Sequence, residues 1–151
     1  MSRRRYNILL VEDEANDIFL LQRALTRLKL PHSLQVVEDG EAAIAYLSRQ
    51  EPYTDTERYP FPALILLDLK LPRLSGLEVL AWLQQQPELR RLLVVVLTSS
   101  REIPDINRAY DLGANSYLVK PVDFSAFLEM VSTLDLYWLM LNEKPLIPNN
   151  G

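Results

Sequence analysis

Ala63-Leu64-Ile65-Leu66-Leu67-Asp68 runs five apolar residues straight into a carboxylate, with Leu69-Lys70-Leu71-Pro72 behind it. This is the pattern of an acid at the carboxyl tip of a buried strand. Three other segments repeat it. Ile8-Leu9-Leu10-Val11 leads into Glu12-Asp13, Leu92-Leu93-Val94-Val95-Val96-Leu97 into Thr98-Ser99, and Tyr117-Leu118-Val119 into Lys120-Pro121. Continuously apolar strands belong to parallel sheets covered on both faces, and open sheets of that kind bind ligands at their carboxyl edge.

Outward from these strand ends, short apolar runs alternate with longer amphipathic stretches, the signature of successive βα units. Strands are predicted near 7–11, 33–38, 63–68, 93–97 and 116–119, and helices near 15–29, 40–49, 75–86, 102–112 and 123–140. In the first helix Ile18, Leu21, Leu25 and Leu28 recur at three and four residues, laying one apolar stripe against the sheet. Ser75-Gly76-Leu77-Glu78 fits a capping box, Asp39 and Asp123 fit helix caps, and Gly113 fits a left-handed helix end. Strict alternation gives an α/β doubly wound sheet of five parallel strands with helices on both faces, in the flavodoxin-like order 2-1-3-4-5. In that order strands one, three, four and five adjoin, so the groups at their carboxyl ends converge. Strand two lies at the edge, and Glu38-Asp39 behind it reads as a helix start. Residues 51–62 are a proline-rich polar connection longer than usual for such folds, read as a surface excursion.

At 151 residues the chain has the length of one domain, and its 48% apolar content suits a globular core. There is no cysteine, hence no disulfide or thiolate metal site, which fits a reducing, cytoplasmic setting. Arg3-Arg4-Arg5 imitates the start of a secretory signal, but the apolar run behind it ends at Glu12. The longest apolar runs are about six residues, against the ~20 needed to span a bilayer, so no membrane association is expected. A net charge of -4 argues against nucleic acid as a partner. The single histidine, His32, falls in a predicted turn and is read as solvated surface without a role.

Glu12, Asp13 and Asp68 would bring three carboxylates together. Their mutual repulsion must raise at least one pKa unless a cation compensates. Hard oxygen ligands, too few to replace a hydration shell, favour Mg2+ over zinc or calcium. Lys120 adds an ammonium and Thr98 a hydroxyl, and together these groups form a cradle for the oxygens of a phosphoryl group in transfer. Asp68, central among them, is the candidate nucleophile. A single acid at a strand end is more often a cap or a solvated loop residue. The joint pattern at four successive inner strand ends outweighs that reading.

Val11-Glu12-Asp13, Leu66-Leu67-Asp68-Leu69-Lys70-Leu71-Pro72 with Gly76, Val96-Leu97-Thr98-Ser99 and Gly113-Ala114-Asn115-Ser116-Tyr117-Leu118-Val119-Lys120-Pro121 resemble the receiver domains of two-component response regulators, which have the CheY-like fold. The resemblance covers residues 6 to about 135. It implies that Asp68 accepts a phosphoryl group from the phosphohistidine of a partner histidine kinase. It also implies that Glu12 and Asp13 organise Mg2+ with the backbone carbonyl of Lys70, that Thr98 and Tyr117 form a switch, and that the Lys120-Pro121 bond is cis. Receivers with a small or amide side chain two residues after the acceptor differ here. An ammonium at Lys70 would shield an acyl phosphate if it lay across the pocket, or be solvated if it pointed away.

The predicted division is a receiver domain over 1–135 and an apolar C-terminal extension over 136–151. In the extension, Leu136-Tyr137-Trp138-Leu139-Met140-Leu141 is more apolar than one helix face buries against its own sheet. With a tail too short for a DNA-reading domain, output is expected through protein contact. The extension and the long loop also resemble the stand-alone receivers that serve bacterial phytochrome-type kinases, which implies a homodimer hiding Tyr137, Trp138 and Leu141. Two other functions fit parts of the pattern. A Mg2+-dependent phosphohydrolase commonly needs a second acid where Lys70 stands, and a receiver-shaped adaptor that is never phosphorylated would not need the intact acid set.

Overall fold

The computed structural model describes residues 4–145. Five strands, β1 (Asn7–Val11), β2 (Ser33–Val37), β3 (Leu64–Leu67), β4 (Val94–Thr98) and β5 (Ser116–Val119), form one sheet in the order β2-β1-β3-β4-β5. Every neighbouring pair is parallel. The helices α1 (Ala15–Arg27), α2 (Gly40–Leu47), α3 (Gly76–Gln84), α4 (Ile103–Asp111) and α5 (Phe124–Leu134) alternate with them. The architecture expected from the strand ends is the one observed.

Successive strand residues face opposite sides of the sheet, and the two cores follow that alternation. Leu9, Val11, Ile65, Leu67, Val94 and Val96 pack with Ala43 and Tyr46 of α2, Val79 and Leu83 of α3, and Ala109 of α4. Ile8, Leu10, Leu64, Leu66 and Val95 pack with Leu21 and Leu25 of α1 and with Phe127 and Val131 of α5. Each large apolar side chain so buried stabilises by roughly 1.5–3 kcal/mol, against about 1 kcal/mol for a helix cap. Packing therefore sets the fold, and side-chain caps mark the starts of α2 and α3.

The capping box is present, with Ser75 Oγ accepting from the Glu78 amide at 3.2 Å and Glu78 Oε1 accepting from the Ser75 amide at 3.4 Å. Asp39 caps α2 through a 2.7 Å bond from the Ala42 amide. Asp123 occupies the corresponding position before α5 but makes no side-chain cap bond. Its side chain is exposed. Gly113 closes α4 at φ 97°. Gly76 bears directly on the site, because a Cβ there would run into the carbonyl oxygen of Asp68.

Residues 51–62 run over the surface, with Glu51, Pro52 and 54–58 exposed, but their aromatic side chains anchor the connection on α2. Tyr53 and Tyr59 pack on Tyr46 with ring centroids 5.1 and 5.9 Å away, and the Arg49 guanidinium lies 4.0 Å from the centre of the Phe61 ring. Tyr46 donates its hydroxyl proton to the Pro60 carbonyl at 2.6 Å, and Arg49 donates to the Tyr59 carbonyl. The connection is a pinned flap.

Beyond α5 the helix continues without a break into a π-helical stretch, Asp135–Leu141, closed by an Asn142 amide bond to the Tyr137 carbonyl at 2.8 Å. Phe124–Leu141 has 18 residues and a mean hydropathy of 1.3, long and apolar enough by those measures alone to cross a bilayer. Here Phe127, Val131, Leu134 and Leu139 are spent on the core instead. His32 departs from its expected role as solvated surface. Its side chain is fully buried, with Nε2 2.7 Å from Asp135 Oδ1 in the first turn of the π-helical stretch.

Candidate functional site

The register of the sheet brings the acids together. Val11 pairs with Leu67, so Glu12 and Asp68, one residue further on, leave the carboxyl edge side by side. The Asp68 amide donates to the Val11 carbonyl at 3.1 Å and the Glu12 amide to the Val37 carbonyl at 3.0 Å, fixing both backbones. Glu12, Asp13 and Asp68 each offer an oxygen, and these oxygens lie within 4.8 Å of one another, close enough to share one divalent cation. Glu12 and Asp68 are buried, and Asp13 is the most open of the three.

From the other side of the sheet, Lys120 is held by its amide, which donates to the Thr98 carbonyl at 2.8 Å. The Lys120 Nζ reaches Glu12 Oε1 at 2.6 Å, Asp17 Oδ2 at 2.8 Å and Asp68 Oδ2 at 3.1 Å. It does so across a trans Lys120-Pro121 bond, since the one cis peptide among the described residues is Glu51-Pro52. The expected cis geometry is not needed to aim the ammonium.

Asp17 was missed by sequence reasoning. An acid in the first turn of a helix reads as compensation of the helix dipole, and α1 was read only for its packing stripe. The available signal was its place one turn after Asp13, on the end of α1 that faces the carboxyl edge.

Three acids contact one ammonium and Asp13 stands beside them, so negative charge is in excess. Burial, with the charge of Asp68 adding to it, pushes the Glu12 carboxyl up from its ordinary 4.5 to about 7, against hydrogen bonds from Lys120 and the Glu14 amide. For Lys120, burial alone would lower the pKa. Hydrogen bonds to Asp17 and Glu12 and the charge of Asp68 outweigh it, and the ammonium is held above its ordinary range.

Thr98 is wholly buried, and its Oγ1 has no hydrogen-bond partner. A buried hydroxyl without a partner costs ~1–3 kcal/mol, which makes it a donor waiting for an acceptor. Tyr117 is half-buried, and its hydroxyl donates to the Ser100 carbonyl at 3.0 Å. The Tyr117 ring is therefore already lodged against the loop after β4. Ser100 Oγ in turn donates to Asp105 Oδ2 at 2.6 Å, tying that loop to α4. The Lys70 amide approaches Asp68 Oδ1 at 3.4 Å, whereas the Lys70 side chain is exposed and forms no ion pair among the described residues. Of its two expected placements, the structure has the solvated one.

A buried strand-end acid, a neighbouring pair of acids, a convergent lysine and an orphaned threonine hydroxyl on a β2-β1-β3-β4-β5 sheet define a class. The chain belongs to the response regulator receiver domain family, which it matches over residues 8–132. Among individual proteins it is 43% identical to the response regulator Rcp1 of Synechocystis sp. over 132 residues, covering 87% of this chain and 88% of that one. It is 39% identical over 138 residues to the probable methanogenesis regulatory protein FilR2 of Methanothrix harundinacea, covering 91% of this chain and 86% of that one. Among solved structures, that of the phosphorylated cyanobacterial phytochrome response regulator RcpA superposes with a TM-score of 0.87 at 39% identity. The superposition covers 95% of this chain and all (100%) of the other. The Mn2+-bound form of Rcp1 superposes with a TM-score of 0.83 at 41% identity, covering 93% and 99% respectively.

Proposed function

We propose that this receiver accepts a phosphoryl group on Asp68 from the phosphohistidine of a partner histidine kinase, in a Mg2+-dependent reaction, and signals by protein contact. The observation that carries the reading is the cluster of Glu12, Asp13 and Asp68 oxygens within 4.8 Å, with the Lys120 ammonium 3.1 Å from Asp68. An Asp68 oxygen forms the new bond to phosphorus while the bond from phosphorus to the donor imidazole nitrogen breaks, the electron pair leaving with the imidazole. Glu12, Asp13, Asp68 and the backbone carbonyl of Lys70 would hold the cation, which when bound offsets the charge of the phosphoryl oxygens. Lys120 supplies the fixed positive charge on the opposite side. Thr98 Oγ1 gains from the phosphoryl group the acceptor it lacks, and its movement toward it changes the packing around Tyr117 and Ser100.

The similar structures include the cyanobacterial phytochrome response regulator RcpA and the bacteriophytochrome response regulator AtBRR, which supports a phytochrome-type kinase as the phosphodonor. The division into a receiver over 1–135 and an extension over 136–151, with a cytoplasmic location, belongs to the same reading. Tyr137, 53% exposed, and half-buried Trp138 line a groove of about 630 Å³ between β5 and α5, and Leu141 further along the extension is 65% exposed. A homodimer that covers Tyr137, Trp138 and Leu141 accounts for this apolar surface.

Incubation of the wild type and Asp68→Asn with Mg2+ and acetyl phosphate, followed by intact mass measurement, tests the assignment. One phosphoryl addition on the wild type alone is expected. Rapid turnover of many phosphomonoesters would establish a phosphohydrolase instead, and no addition would establish an adaptor.

A further inference from the structure

The ammonium of Lys120 is saturated. An ammonium has three N–H donors and no acceptor, and Nζ meets three carboxylate oxygens, of Glu12, Asp17 and Asp68, at 2.6, 2.8 and 3.1 Å. A phosphoryl group on Asp68 would bring further anionic oxygens into the same space. Lys120 can bond one of them only by releasing a present partner.

The three partners differ in what release costs them. The side chains of Glu12 and Asp68 are 1% and 7% exposed, so water cannot take the place of the ammonium at either. The side chain of Asp17 is 30% exposed, and water can replace the ammonium there. Asp17 also stands in the first turn of α1, where the helix amides favour a negative charge whether or not the lysine is attached. It is the partner that lets go at least cost.

We propose that Asp17 is a positioning residue that competes with the phosphoryl group for the Lys120 ammonium, restraining the lysine in the resting site and yielding it when Asp68 is modified. The restraint stands on the geometry alone, and the competition rests on the reading of Asp68 as phosphoacceptor. Asp17 thereby shortens the life of the aspartyl phosphate, because each phosphoryl–lysine contact is bought against an existing ion pair.

Two measurements on the full chain separate these parts. The first follows hydrogen exchange of the Lys120 ammonium by NMR of the 15N-lysine protein without metal or phosphodonor. The chain has only four lysines (29, 70, 120 and 144), so the signals are few. Asp17→Asn should speed exchange at Lys120 roughly two- to fivefold, the range set by a partly exposed ion pair, and leave Lys29, Lys70 and Lys144 unchanged. The second follows decay of the acetyl phosphate-labelled protein. Asp17→Asn should lengthen the phosphate half-life by roughly two- to fivefold, while Asp17→Glu, which restores a carboxylate, should return it toward wild type.

Unchanged ammonium exchange overturns the restraint. Faster exchange with an unchanged or shortened phosphate half-life overturns the competition. A wild type that takes up no phosphoryl group defeats the assignment of Asp68 and the competition with it, while the exchange measurement still decides the restraint.

Discussion

His32 Nε2 lies 2.7 Å from Asp135 Oδ1, a buried pair that ties the start of β2 to the first turn of the π-helical stretch leading into the C-terminal extension. On its other side, His32 Nδ1 accepts from the Tyr6 amide at 3.1 Å. A nitrogen that accepts carries no proton, so the network assigns the proton to Nε2, which donates to Asp135. One imidazole thus joins the chain ahead of β1, the edge strand and the extension. Lys144 adds to the same corner, with Nζ 4.4 Å from the centre of the Tyr6 ring and donating to the Leu139 carbonyl at 2.8 Å.

His32→Ala should therefore loosen the extension as well as lower stability. Removing one partner from a buried hydrogen bond costs ~1–3 kcal/mol. Denaturant unfolding should report a loss of that size, and amide hydrogen exchange should show reduced protection in Asp135–Leu141 with β3 and β4 little changed. Equal loss of protection throughout the sheet would mean that the pair does not serve the extension in particular.

What was legible in the sequence, and what was not, follows from the range of the interactions. β1, β3 and β4 could be read because each is buried on both faces and ends in its functional group, so burial and chemistry coincide within six or seven residues. Asp68, Glu12 and Thr98 could be picked out for that reason, whereas Lys120 follows β5, which is only half-buried, and is read from its place in the chain order of strand ends. His32 and Asp135 are 103 residues apart, and no local pattern links a turn histidine to a helix acid at that distance. Asp17 was hidden differently, since its local reading as a helix-start acid is correct and its second role depends on where Lys120 ends. The flap over 51–62 was composed like an excursion, and its tyrosines find Tyr46 only after α2 is in place.

Thr98→Val should separate stability from signalling. Valine keeps the shape of threonine and removes a buried hydroxyl that has no partner in the resting state. Stability should hold or rise by up to about 1 kcal/mol, because the unpaired group is no longer buried. Phosphorylation-dependent changes in the amide spectrum around Ser100, Asp105 and Tyr117 should be lost. A marked fall in stability would show that the hydroxyl already has an acceptor, such as an ordered water.

The extension offers a test by mass action. Tyr137→Ser together with Leu141→Ser removes two of the four exposed large apolar side chains in the described part of the extension. Each buries surface worth roughly 1.5–3 kcal/mol if a second copy covers it. Sedimentation velocity should show the double variant monomeric at concentrations where the wild type is dimeric, with an unchanged circular dichroism spectrum. A wild type that sediments as a monomer at every concentration, with and without phosphorylation, would assign the apolar surface to another partner.

The raised carboxyl of Glu12 gives divalent cation binding a pH dependence whose sign is fixed. With its pKa at about 7 in the folded protein against the ordinary 4.5, Glu12 retains in the fold a proton that the unfolded chain has released. Without metal, the stability due to this group is present at low pH and lost as pH rises through that window. A divalent cation needs the ionised carboxylate, so proton and cation compete for the same oxygens. Apparent Mg2+ affinity should therefore climb between about pH 6 and about pH 8, by up to about tenfold per unit below the Glu12 pKa, and then level off. Stabilisation by Mg2+ in thermal unfolding should grow in the same direction. Glu12→Gln carries no titrating group, and its weaker Mg2+ binding should be flat across the range. If the wild type is equally flat, Glu12 is already ionised and Lys120 alone supplies its compensation.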